Sequence, residues 1–130
     1  SIYDDNFTVD KVRLRMICDQ MIAEKMNMSF RCYSRVNTLD ENLLCLMKKA
    51  GCFEIAFGVE SGCQKSLDLM RKRIKVDDSR NIMKLCKRVG IASKAFMMIG
   101  FAWETKGDIY ETISFVCEIL PDEVQFICLT

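Results

Sequence analysis

Phe53-Glu54-Ile55-Ala56-Phe57-Gly58-Val59-Glu60-Ser61-Gly62 decides how the rest of the chain is read. It is apolar enough for a buried strand, carries an acid near each end of one face, and runs out into a Ser-Gly turn. Side chains alternate across a strand. Phe53, Ile55, Phe57 and Val59 are therefore expected on one face, and Glu54, Ala56, Gly58 and Glu60 on the other. The bulky face needs helices against it. The small, acidic face looks onto something polar, which points to a ligand-bearing cavity.

Upstream, Thr38 or Asp40 opens a helix whose Leu43, Leu44, Met47 and Ala50 form the buried side, with Gly51 as its C-cap. Before it, residues 28–35 read as a strand with Met28, Phe30 and Cys32 on a dry face and Ser29, Arg31, Tyr33 and Arg35 on a polar one. Further back, residues 1–8 form a short strand stub. Thr8 then caps a helix over 9–26 with Val12, Met16, Met21 and Ile22 in its apolar stripe. Downstream come a short helix near 63–72, the basic connector Lys72-Arg73-Ile74-Lys75, and a helix over 77–89 closed by Gly90. A strand over 91–100, a helix over 106–120 broken by Pro121, and a last strand over 124–129 complete the chain.

Strand and helix alternate, and each crossover is long enough for a helix, so the sheet should be parallel with right-handed connections. Strand starts near 1, 28, 53, 92 and 123 give a usual interval close to the ~31 residues per unit of a (β/α)8 barrel. The expected fold class is α/β, a partial TIM-type barrel of about five parallel strands with outer helices. An open doubly wound sheet uses similar elements, and spacing alone does not separate the two.

Composition narrows the function classes. With 130 residues, 50% of them hydrophobic and 28% charged, the chain suits one globular domain that buries a core. Nineteen basic against eighteen acidic residues leave a net charge of +1, so no nucleic-acid partner or anionic membrane is implied. No apolar run approaches the ~20 residues of a membrane span. The eight cysteines contain no C-x-x-C pair and His is absent, so reduced, buried thiols in a cytoplasmic protein are expected and no metal ligand is assigned. A zinc or redox protein is a further reading with eight cysteines in its favour and no ligand spacing. The chain begins without Met, so a targeting segment upstream would not be seen.

The inner face of such a barrel is normally apolar, yet here it offers Arg31, Arg35, Glu54, Glu60, Lys94 and Gln125. Burying these unpaired would cost several kcal/mol each, so they pair across strands, as Arg31 with Glu54, or meet water or a ligand. Asp4, Asp5, Arg35, Glu60 and Glu104 fall at C-terminal strand ends, where parallel α/β folds bind ligands.

Six stretches together resemble the radical S-adenosylmethionine (SAM) enzymes: Tyr3-Asp4-Asp5-Asn6-Phe7-Thr8, Arg35-Val36-Asn37, Met47-Lys48-Lys49-Ala50-Gly51, Gly58-Val59-Glu60-Ser61-Gly62 with Leu69-Met70-Arg71-Lys72, Met98-Ile99-Gly100-Phe101-Ala102-Trp103-Glu104-Thr105, and Glu111-Thr112-Ile113-Ser114-Phe115. Their order is most similar to the branch that commonly carries a cobalamin-binding domain, including relatives of the anaerobic magnesium-protoporphyrin ester cyclase. The resemblance implies that residues 1–130 form a later part of a radical SAM domain, from about the second strand to the sixth. It implies SAM along the inner strand ends: Asp4 and Asp5 near the amino group, Glu60 and Ser61 near the ribose hydroxyls, Gly100 to Glu104 near the adenine, and Gln125 where a sixth-strand backbone meets that base. Arg35 or Lys72 would pair the SAM carboxylate.

Two departures stand out. The family's loop usually has Pro where this chain has Ala102, and the C-x-x-x-C-x-x-C loop that holds a [4Fe-4S] cluster does not occur here. The cluster, and any cobalamin, would belong to a full-length parent acting on a small-molecule substrate. No catalytic residue is assigned, and this chain alone is expected to be inactive. A non-enzymatic α/β binding or assembly module that has lost the cluster is the alternative. Open sheet edges at Ile2 and at Val124 to Leu129 would favour self-association.

Overall fold

The structure, a computed structural model, describes residues 1–4 and 7–129. Its elements follow in the order α1 (Lys11–Ala23), β1 (Phe30–Arg35), α2 (Glu41–Lys49), β2 (Cys52–Glu60), α3 (Gln64–Leu69), α4 (Val76–Val89), β3 (Ala92–Ile99), α5 (Lys106–Ile119) and β4 (Glu123–Cys128). The four strands lie side by side in sequence order, all parallel. The expected stub at the start contributes a single bridge from Ile2 to Cys32, so the sheet has four strands where about five were anticipated. Each new strand adds beside its predecessor, and right-handed crossovers that never reverse direction leave every connecting helix on one face. A doubly wound sheet would have reversed.

Burial follows that one-sided cover. Ile55, Phe57 and Val59 of β2 and Ala95 and Met97 of β3 are fully buried beneath the helical layer, where α2 packs on β2 and α4 on β3. Leu43, Leu44 and Met47 of α2 meet them from the helix side, also fully buried. Each such side chain contributes about 1.5–3 kcal/mol relative to exposure, which makes this layer the main source of stability.

Four sequence expectations are corrected here. Phe53 is 46% exposed, because the β1–β2 register steps from Phe30–Cys52 to Arg31–Glu54. The skipped residue is a bulge, which gives the inward place to Cys52 and restores alternation from Glu54 onward. On α1, Val12 and Met16 are exposed, and the buried stripe is Leu14 and Cys18, flanked by Ile17 and Met21. The cap of α1 is Asp10, whose carboxylate accepts the Arg13 N–H, while the Thr8 hydroxyl is buried against Ser34 (2.8 Å) and Thr38 (3.1 Å). Met28 lies outside β1 and is exposed.

At the far edge, β4 is exposed along its whole length, with Val124, Phe126 and Ile127 among its uncovered apolar side chains. Among the described residues no helix is long and apolar enough to cross a membrane.

Candidate functional site

The face of the sheet turned away from the helices is graded from paired charge, through aromatic rings, to a charged rim. Near the strand starts, Arg31 pairs with Glu54 (3.7 Å) and Lys94 with Glu123 (2.6 Å), each between adjacent strands. These four charges are therefore compensated and need no ligand. Above them the small Ala56 and Gly58 leave room over β2 for the rings of Tyr33 and Phe96 to stack, their centroids 6.1 Å apart. The Lys94 ammonium lies 5.2 Å from the Phe96 centroid.

At the C-terminal strand ends this face opens into a hollow of about 530 Å³ lined by Tyr33, Arg35, Gly58, Glu60, Lys72 and Met98, among others. That volume is within the range of small-molecule sites. The Glu60 carboxylate dominates it: the side chain is 13% exposed, folds back over Gly58, and accepts a 2.8 Å bond from the Lys72 ammonium. Lys72 comes from the basic connector, where Arg71 and Arg73 adopt φ of 54° and 53°. Arg35 approaches from the end of β1, and a smaller hollow of about 190 Å³ is shared by Arg35, Glu60, Arg71 and Lys72. One carboxylate therefore sits among several cations at the mouth of an aromatic-floored cavity.

The backbone at Glu60 is strained. Its φ is 70°, and the Ser61 N–H donates to the Val59 carbonyl at 2.9 Å, closing a three-residue γ-turn of the rarer, positive-φ kind. A non-glycine residue held there costs about 1–3 kcal/mol and persists only where its surroundings over-determine it. The turn also interrupts the β2–β3 register between Gly58 and Glu60.

The description "Radical SAM superfamily" matches the chain over residues 4–116. The chain belongs to the radical SAM superfamily. It is 33% identical over 127 residues to an uncharacterized methyltransferase of Pyrococcus horikoshii, covering 98% of this chain and 28% of that protein. It is 26% identical over 129 residues to the anaerobic magnesium-protoporphyrin IX monomethyl ester cyclase of Rubrivivax gelatinosus, covering 98% and 23%. The fold superposes on the radical SAM methyltransferase TsrM of Kitasatospora setae, solved with cobalamin and a [4Fe-4S] cluster, with a TM-score of 0.82 at 17% identity over 96% of this chain and 26% of that one. The chain thus spans about a quarter of the length of these relatives.

Within this radical SAM fold, the residues singled out from sequence separate into groups. Arg35 and Glu60 line one hollow. Gln125 stands on the same face, paired in register with Phe96, and is exposed. Ser61 is fully buried, and its hydroxyl bonds Thr112 (2.9 Å) and accepts the Cys63 N–H (3.0 Å), so it turns toward α5 and away from the hollow. Gly62 follows because nothing larger fits: a Cβ there would lie 2.4 Å from the Cβ of Phe115.

Gly100, at φ 96°, starts the exit loop of β3. Glu104 closes that loop on itself, one carboxylate oxygen accepting the N–H groups of Gly100 (2.7 Å) and Phe101 (3.0 Å). Stacking of Phe101 on Trp103, centroids 4.7 Å apart, stiffens the stretch in which the family usually has proline. The other oxygen of Glu104 is buried with no hydrogen-bond partner among the described residues. Asp4 bonds the Arg13 guanidinium at 2.9 Å. Asp5 lies outside the described residues.

Two groups can be tested for fit. The hollow offers a carboxylate for a vicinal diol, cations for a carboxylate, and apolar and aromatic walls, a donor set that suits SAM. A [4Fe-4S] cluster needs thiolates on an accessible loop. Cys18, Cys32, Cys52 and Cys86 are instead sealed in the core. Burial pushes Cys18 up to about 11 and Cys86 to about 12, and the neighbouring Cys52 thiol with burial drives Cys32 up as well. Cys18, Cys32 and Cys86 are thereby held as thiols, while Cys45, Cys117 and Cys128, exposed where buried thiols were expected, are not gathered into a metal-holding group among the described residues, so the cysteines described here do not fit the cluster.

The sequence reading placed Tyr33 on the polar face of its strand but gave no role in the site to Tyr33, Phe96 or Met98, because an aromatic or methionine side chain carries no charge to mark it as a ligand contact. Lys72 was expected, with Arg35, as a partner for the SAM carboxylate, but its ion pair with Glu60 was not foreseen.

Proposed function

We propose that this chain is the part of a radical SAM enzyme, from about the second barrel strand to the sixth, that holds SAM against the strand ends. The observation that carries the reading is the Glu60 carboxylate, held over Gly58 by a strained turn inside a hollow it shares with Arg35 and Lys72. A carboxylate accepts about four hydrogen bonds, so a ribose diol can join the one Lys72 ammonium already there. Lys72 and Arg35 would receive the carboxylate of the methionine moiety, and the clamped loop from Gly100 to Glu104 would border the adenine, with Gln125 at its far side. Asp4 and Asp5 would approach the amino group. Ser61 would act through its backbone and its bond to α5.

When bound, SAM supplies a sulfonium group for reductive cleavage or methyl transfer, and the residues of this chain contribute binding, orientation and exclusion of water. The cluster that delivers the electron, and any cobalamin of the kind bound by TsrM, would belong to the parent protein. The named relatives, a methyltransferase and a cyclase, support a parent enzyme acting on a small molecule over a non-enzymatic module.

Equilibrium dialysis of the full-length parent with SAM tests this. Glu60→Gln removes charge-assisted hydrogen bonds worth ~1.5–3 kcal/mol, so the dissociation constant should rise about 10- to 100-fold. Arg31→Gln, in the paired rung below, should leave it unchanged. Equal affinity in the wild type and Glu60→Gln would overturn the proposal.

A further inference from the structure

The stretch Glu111-Thr112-Ile113-Ser114-Phe115 has no part in the hollow, yet its Thr112 and Phe115 side chains meet the turn that follows Glu60. Thr112 is fully buried, on the inner side of α5. Its hydroxyl bonds the Ser61 hydroxyl at 2.9 Å and accepts the Gly62 N–H at 3.1 Å, across about fifty positions of sequence. Phe115, one helical turn on, packs so tightly on Gly62 that no side chain fits there. Asp108, one turn earlier, accepts the Cys63 thiol at 3.6 Å. Three successive turns of α5 thus grip residues 61–63, immediately after a γ-turn that an unsupported glutamate would not keep.

We infer that Thr112 is the positioning residue for Glu60: through Ser61 and Gly62 it locks the strained turn that aims the Glu60 carboxylate into the hollow. The inference rests on the assignment of Glu60 to SAM proposed above. Thr112 itself touches neither the hollow nor its contents. The requirement is for a hydroxyl at this position: valine keeps the shape but orphans the buried Gly62 N–H, whereas serine keeps the hydroxyl.

A cycle of variants in the full-length parent, read by SAM affinity in equilibrium dialysis and by thermal unfolding, tests this. Thr112→Val should weaken SAM binding about tenfold, the scale of one lost buried hydrogen bond transmitted to the site, and Thr112→Ser should restore it to within about twofold. In a Glu60→Ala background Thr112→Val should have no further effect on affinity while still lowering the melting temperature, because the coupling runs through Glu60. The inference is overturned if Thr112→Val binds SAM as wild type does, or if it loses the same factor with Glu60 absent. A Glu60→Ala protein that binds SAM normally overturns the underlying assignment instead, whatever Thr112→Val does, so the two failures are distinguishable.

Discussion

At Glu60 a long, charged side chain occupies a backbone conformation that suits glycine, and the carboxylate so presented is the most confined charge of the hollow. Glu60→Gly would release about 1–3 kcal/mol of strain, against up to ~1 kcal/mol for the half-exposed Lys72 pair and ~1 kcal/mol for the freer unfolded chain. The variant should therefore stay within about 1 kcal/mol of wild-type stability or exceed it while losing SAM affinity, which calorimetry and dialysis on one preparation would read together. A clear fall in melting temperature would show that the turn is not strained. The next two residues do different work. Ser61 and Gly62 look like part of the same binding signature in sequence, but their side-chain positions are used up in packing on Thr112 and Phe115. Their partners lie about fifty residues away, a distance no local reading crosses.

Among the elements, α5 has its start fixed by a reciprocal cap, the Thr105 hydroxyl accepting from Asp108 N–H and the Asp108 carboxylate from Thr105 N–H. That backbone bond first, and the Lys65 ammonium second, hold the Asp108 carboxyl down to about 2. Its folded value lies below the ordinary carboxylate value, so the stabilisation is complete above pH ~4 and is lost as the pH falls toward about 2. Asp108→Asn should thus melt below the wild type at pH 7, with the gap closing between about pH 4 and 2; melts recorded across that window would contradict this if the gap stayed constant. Some caps and stops were readable in advance, Asp40 as one of two candidates at the start of α2 and Gly90 at the end of α4, because they depend on neighbours within four residues; the Thr105 cap was read as loop, and α2 is capped by Ala50, one residue before the expected Gly51. What failed depended on the rest of the fold. The bulge that turns Phe53 outward arises in the pairing with β1, and α1 offers two apolar stripes of which only tertiary contact selects Leu14 and Cys18.

For the whole molecule, the order β1-β2-β3-β4 and the single helical layer account for both faces of the sheet. The helix side carries the stability, while the other side compensates its own lower charges and gathers Arg35, Glu60 and Lys72 around the hollow at the strand ends. The class of fold was legible because strand and helix lengths repeat along the chain. The barrel-like winding was expected and is found, but spacing alone did not separate it from a doubly wound sheet, since strand order is a property of the sheet and not of any segment. Glu104 shows the same limit at the site: its position at a strand end was visible, but only the structure reveals a carboxylate turned back on the N–H groups of Gly100 and Phe101.

The most direct test is a crystal structure of the parent protein grown with SAM. The account predicts adenosyl density in the hollow, with the ribose hydroxyls on the Glu60 carboxylate and the methionine carboxylate on Lys72 or Arg35. Density for SAM elsewhere, with Glu60 bound to Lys72 alone, would contradict it.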